Sequence, residues 1–244
     1  MKTRWDDMQQ QQQQPEIVQR DHLARVMKAP SSADQERAFQ VLKTLKPGDD
    51  MKLLVPIEAA SVHGNAAATA ALEKRLLEHL TPQATPEAKE FISRELALIG
   101  TGQSAPALGA LLSQDRVAFR ARNALERIPG PEADKALRDA LATTSGKYKA
   151  GVIQSIGVRR DARAVPQLTA SLSEGQEIAS AAASALGQIG TAEAGKALSA
   201  FQPKAPVPLR GIVTDAMMVC ADRLLESGQK PQALAMLESL KGSG

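Results

Sequence analysis

Four apolar segments of this chain close on an isoleucine, and the closures are evenly spaced. Ile99-Gly100, Ile128-Pro129, Ile156-Gly157 and Ile189-Gly190 follow one another at intervals of 29, 28 and 33 residues. A short polar turn follows each closure, and then a further apolar-periodic segment: Ala105 to Leu112, Ala133 to Leu141, Ala162 to Leu172 and Ala192 to Leu198. A helix–turn–helix unit repeated every 30 residues or so has too little core to stand alone. It buries its apolar stripe by stacking on its neighbours.

The residue types fit that arrangement. Ile178, Ala181, Ala182, Ala185, Leu186 and Ile189 fall at the i, i+3, i+4, i+7, i+8, i+11 spacing of a buried helical stripe. A glycine after the closing isoleucine is suited to the left-handed conformation that terminates a helix. Pro129 cannot adopt it, so its turn must end the helix by blocking continuation. Gly109 and Gly187 lie inside helical segments, where glycine weakens a helix by about 1 kcal/mol, and the use that offsets this is close approach of a neighbouring helix. Aromatic residues are only 2% of the 244-residue chain (Trp5, Tyr148 and four phenylalanines). The core must therefore be built of Ala, Leu, Ile and Val, which suits close helix packing and leaves little for a β-sandwich or an aromatic cofactor pocket.

The flanks are less regular. Gln9 to Gln14 make residues 1–15 a low-complexity arm. Residues 16–86 read as irregular helical hairpins, broken at Pro30-Ser31-Ser32, Pro47-Gly48, His63-Gly64-Asn65 and Thr81 to Pro86. Residues 87–200 carry the regular units. Residues 201–244 form a final hairpin of Leu209 to Leu225 and Gln232 to Leu240, set off by the proline-rich stretch Pro203 to Pro208. No apolar run reaches about 20 residues, and the first 30 residues lack the apolar core of a signal peptide, so the expectation is a cytoplasmic chain.

The segment Asp161-Ala-Arg-Ala-Val-Pro-Gln-Leu-Thr-Ala-Ser-Leu172 resembles the first helix of a HEAT-type repeat, and Ile178 to Gly190 resembles the second helix of the same unit. Ala221-Asp222-Arg223-Leu224-Leu225 with Ala233-Leu234 is more similar to a tetratricopeptide hairpin. Long HEAT-rich proteins of some environmental bacteria read similarly. The resemblance to the HEAT (armadillo-like) family implies an all-α, right-handed superhelical solenoid of stacked antiparallel hairpins. In such a solenoid the second helices line a concave face that commonly holds another macromolecule. The chain departs from the family pattern at Pro129 and at Ala192-Glu193. The family motif is structural and brings no catalytic residues with it.

Site chemistry is sparse. His22, His63 and His79 are scattered, Cys220 is the single cysteine within an apolar run, and no close ligand spacing or phosphate loop is present. The expectation is thus no catalytic residue, metal or cofactor. Charge is the exception. Residues 115–163 hold 11 Lys or Arg against 6 Asp or Glu, in a chain whose formal charge is only +3. Arg116, Arg120, Arg122, Asn123, Arg127, Lys147, Tyr148, Lys149, Arg159 and Arg160 are the candidate partner-binding residues, because helical spacing puts several of them on one face. Such a surface suits a protein partner with an acidic face or peptide, and the expected role is a non-catalytic protein-interaction scaffold. The alternative is a nucleic-acid-binding protein of the same type, whose enzymatic form would act on modified DNA bases.

Overall fold

Local sequence signals place the helices. The computed structural model describes residues 29–241, and among these there are thirteen α-helices, four short 3-10 turns and no strand. The glutamine tract, Trp5, His22 and the first residues of the 16–86 stretch lie outside the described residues.

The described chain divides into two compact units between Ile99 and Gly100. The first contains α1 (Ser32–Lys43), a 3-10 turn (Met51–Leu54), α2 (Val55–His63), α3 (Ala66–His79) and α4 (Pro86–Ile99). Ser31 caps α1 by accepting from the Asp34 amide, and Asn65 caps α3 by accepting from Ala68, each satisfying an orphan donor of a first turn. Phe39, Leu42, Ile57, Leu76, Ile92 and Leu96 fill the core. Phe39 is fully buried between the Arg75 guanidinium, 3.9 Å from its centroid, and the His79 ring at 4.9 Å. The helix expected to open the regular array at 87 belongs to this unit, where α4 packs on α2 and α3.

The second unit runs from Gly100 and alternates shorter and longer helices. They are α5 (Ala105–Gly109), α6 (Ala118–Arg127), α7 (Pro131–Ala140), α8 (Gly146–Arg159), α9 (Val165–Ser171), α10 (Gln176–Ile189), α11 (Ala192–Phe201), α12 (Val207–Glu226) and α13 (Lys230–Lys241). Each shorter helix packs on the longer one after it: α5 on α6, α7 on α8, α9 on α10, α11 on α12. The longer helices α6, α8, α10 and α12 also pack side by side in that order. The alanine-rich faces make this possible: Ala179, Ala181, Ala182, Ala183 and Ala185 of α10 are all buried.

The helix ends differ from expectation in one instructive place. Gly190 does end α10 in the left-handed conformation, at φ 65°, but Gly157 does not end α8. That helix continues to Arg159, and Arg160 takes the left-handed position at φ 54°. Gly157 is instead a contact residue: a Cβ placed there would lie 2.9 Å from Ala185 Cα on α10. Gly187 repeats this one helix on, with a virtual Cβ 2.6 Å from the carbonyl oxygen of Ala216 on α12, and Gly109 meets Ala136 Cβ at 3.3 Å. Close approach is therefore the use of Gly109 and Gly187, as their helical positions imply. At Pro129 the helix stops at Arg127, and Gly130 at φ 97° redirects the chain into α7.

Candidate binding surface

The ten candidate residues of the basic stretch come from α6, α8 and the turns beside them, and helix geometry sends them to different places. Lys147 and Arg160 bracket α8, so thirteen residues at 1.5 Å each put them roughly 20 Å apart. Arg116, Lys147, Tyr148 and Lys149 stand where the chain enters the longer helices, while Arg127, Arg159 and Arg160 stand where it leaves them.

Several of these side chains serve the fold. The Arg122 guanidinium lies over Gly151 and donates from Nη1 to the Gly151 carbonyl at 2.9 Å and to Ser155 Oγ at 3.3 Å. Ser155 in turn donates to Glu126 at 2.6 Å. Burial depresses the Arg122 pKa, partly opposed by the negative charge of Glu126. Arg159 is used more completely. Its Nη1 donates to the carbonyls of Leu125 (2.8 Å), Glu126 (3.2 Å) and Ile128 (2.6 Å), its Nη2 to Gly130 (3.0 Å), and its Nε pairs with Asp134 at 2.5 Å. The carbonyls of Leu125, Glu126 and Ile128 belong to the end of α6, which lacks intrahelical partners, so Arg159 is the C-terminal cap of the preceding long helix.

At the other edge, Asp115 accepts from Lys147 Nζ and from Tyr148 Oη, both at 3.0 Å. The hydrogen bond from Lys147 is the main reason the Asp115 carboxyl titrates below its ordinary range, with Tyr148 second, and the same contact raises the Lys147 pKa. Lys149 donates to Glu174 at 2.7 Å and holds that carboxyl down. Arg116 occupies a left-handed position at φ 66°, and Arg160 is exposed. Arg120, Asn123 and Arg127 remain on the outer side of α6 with the exposed Phe119, whose ring has the Arg120 and Arg122 guanidinium groups at 5.8 and 5.7 Å.

The row of long helices presents a face that the charge pattern does not announce. The outward stripe carries the exposed Phe119 and Arg127 with the half-buried Asn123 on α6, and Lys147, Gln154 and Val158 on α8. It continues with the exposed Glu177, Ser184 and Gln188 and the half-buried Ser180 on α10, then Asp215 and Asp222 on α12. A groove of about 510 Å³ runs over α8, α10 and α12, lined by Gln154, Gln176, Ser180, Ser184 and Ile212 among others. On α10 the sequence signal for this face was available: Ser180, Ser184 and Gln188 fall at i, i+4, i+8 within an otherwise alanine-rich helix.

Elsewhere the chemistry is structural. Among the described residues no three His, Cys, Asp or Glu side chains are grouped to hold a metal ion. His63 ends α2, and His79 donates from Nδ1 to the Arg75 carbonyl at 2.9 Å beneath Phe39. Cys220 is buried, and desolvation pushes its thiol up to about 11. Asp161 caps the turn before α9, accepting from the Arg163 amide at 3.1 Å, and pairs with Arg138. In the first unit Glu95 is buried beside Ser61, which donates to it at 2.9 Å, and desolvation raises its pKa. Among the described residues no helix is long and apolar enough to cross a membrane. Comparison with models of known protein families and with curated proteins gives no match.

Proposed function

We propose that the unit from Gly100 on is a HEAT-like solenoid and that the protein is a non-catalytic interaction module, binding a protein partner along the exposed face of its longer helices. The observation that carries this is the side-by-side row α6, α8, α10, α12 with a groove of about 510 Å³ over three of its helices. The groove lining mixes amides, hydroxyls and the Glu177 carboxylate with Ala150, Ala181 and Ile212, which is the combination of apolar contact and adaptable hydrogen bonding that protein surfaces use for one another. Recurrence supports the repeat reading: at each of the three junctions of the row a buried glycine (Gly151 and Gly157 of α8, Gly187 of α10) sits against the neighbouring long helix. Placement of the basic residues weighs against a phosphate-binding groove. Arg122 and Arg159 are taken up by backbone carbonyls, and Lys147 and Lys149 by carboxylates.

The test is affinity capture from native cells with the intact chain and with a variant in which Ser180 and Ser184 are both replaced by Arg. Both sites are on the groove and outside the core, so circular dichroism should be unchanged. Loss of captured partners from this variant, and their retention by Arg163→Glu at an exposed turn, is the expected result. Recovery of the same partners by the groove variant would refute the reading.

A further inference from the structure

The ends of the helix row carry opposite charges. On α6, Arg120 and Arg127 are exposed, seven residues apart, and neither pairs with a carboxylate of a described residue. On α12, Asp215 and Asp222 are likewise exposed, seven residues apart and unpaired with any described cation. Both pairs lie on the outer sides of their helices: Arg122 of α6 faces α8, and Ala216 of α12 faces α10. Between them Lys147 is matched by Asp115, Gln154, Ser180 and Ser184 are uncharged, and the exposed Glu177 of α10 adds one carboxylate toward the acidic end.

From these placements we infer that the occupant of the face is an extended peptide segment with acidic residues at one end, basic residues at the other, and small or hydroxyl-bearing residues between. The inference rests on the interaction-module reading and specifies its ligand. Opposite charges at the two ends select a polarised ligand, since a uniformly acidic or basic one would meet like charge at one end. Uncharged amides and hydroxyls in the middle match a peptide main chain, because each can donate or accept to the groups an extended backbone exposes. Length follows from the row. Three interhelical steps of 8–10 Å span roughly 24–30 Å. At about 3.3 Å per residue that corresponds to about eight or nine extended residues.

The experiment is selection of random nine-residue peptides displayed on phage against the full-length chain, run in parallel on a charge-exchanged chain carrying R120E, R127E, D215K and D222K. All four sites are exposed, and thermal melting establishes that the exchanged chain is folded. Enriched peptides should be charge-polarised in a single N-to-C direction for the natural chain and in the opposite direction for the exchanged one. Synthetic versions should bind about tenfold more tightly than scrambled peptides of the same composition, the expectation for two or three exposed ion pairs. The inference is overturned if nothing is enriched, if the enriched sequences have no polarity, if the polarity persists on exchange, or if a DNA duplex displaces the peptide more effectively than the peptide displaces itself. Failure here together with loss of captured partners from the Ser180/Ser184 variant would reject the peptide and leave the interaction module standing.

Discussion

Removing the Arg159 side chain should damage this protein far more than removing that of Arg160 beside it. In Arg159→Ala the carbonyls of Leu125, Glu126, Ile128 and Gly130 lose their donor, and Asp134 loses its cation. The Arg159 side chain is only 10% exposed, so water replaces it incompletely. Hydrogen bonds to a charged group contribute about 1.5–3 kcal/mol each, but carbonyls at a helix end regain solvent in part, which brings the net loss to about 3–4 kcal/mol. For a unit of this size that corresponds to a fall of about 10 °C in Tm. Lysine at 159 keeps the charge but not the planar fork, and should recover less than half of the loss. Arg160 makes no such contacts, and Arg160→Ala should stay within about 0.5 kcal/mol of the natural chain. Urea denaturation followed by circular dichroism measures all three, with the m-value reporting whether the unfolding reaction is unchanged. If Arg159→Ala and Arg160→Ala prove equally mild, the capping role of Arg159 is wrong.

Two glycines of the long helices should respond to alanine with opposite signs. Gly187→Ala meets the Ala216 backbone and should destabilise by about 1–2 kcal/mol despite its better helix propensity, whereas Gly211→Ala meets nothing within 4 Å and should stabilise by up to about 1 kcal/mol; equilibrium unfolding gives both values. Because burial raises the Glu95 pKa, the stability contributed by its neutral form is present below the ordinary glutamate range and is lost as pH rises through the folded value. Glu95→Gln should therefore compare more favourably with the natural chain at neutral pH than at pH below the ordinary glutamate value, and a constant difference across that range would contradict it. The buried Cys220 thiol, held at about 11, should react with iodoacetamide at mildly alkaline pH only as fast as the chain opens, which labelling with and without urea checks by mass spectrometry.

Periodicity made the helices legible. The buried stripe of α10 and the closing isoleucines are local patterns with a single physical cause, and they placed most helices within a few residues. Gly157 shows where this stops. A glycine after an apolar isoleucine reads as a helix end, but the same residue is equally required where two backbones touch, and only the position of Ala185 distinguishes the two. Arg160 then took the left-handed position that the pattern assigned to glycine. The charged stretch was legible as a cluster in sequence, but not as a surface. Arg122 and Arg159 are indistinguishable in sequence from Arg120 and Arg160, and what separates them is whether a carbonyl or solvent lies at the end of the side chain. The polar stripe Ser180, Ser184 and Gln188 was present in the sequence as periodicity, but it carries no charge to mark it beside the basic stretch.

The junctions within the helix row also differ in how they would yield under load. Between α8 and α10, and between α10 and α12, glycine lets backbone meet backbone, and a contact of that kind has no side chain to rotate out of the way. Between α6 and α8 the spacer is the Arg122 guanidinium, held by a carbonyl and a hydroxyl that water can satisfy in its place. The row is therefore joined by backbone contact from α8 to α12 and by side chains at its basic end, where Arg122 and the Arg159 cap tie α8 to α6. A ligand gripping both ends would pull against a fixed ruler on one side and against two guanidinium clasps on the other.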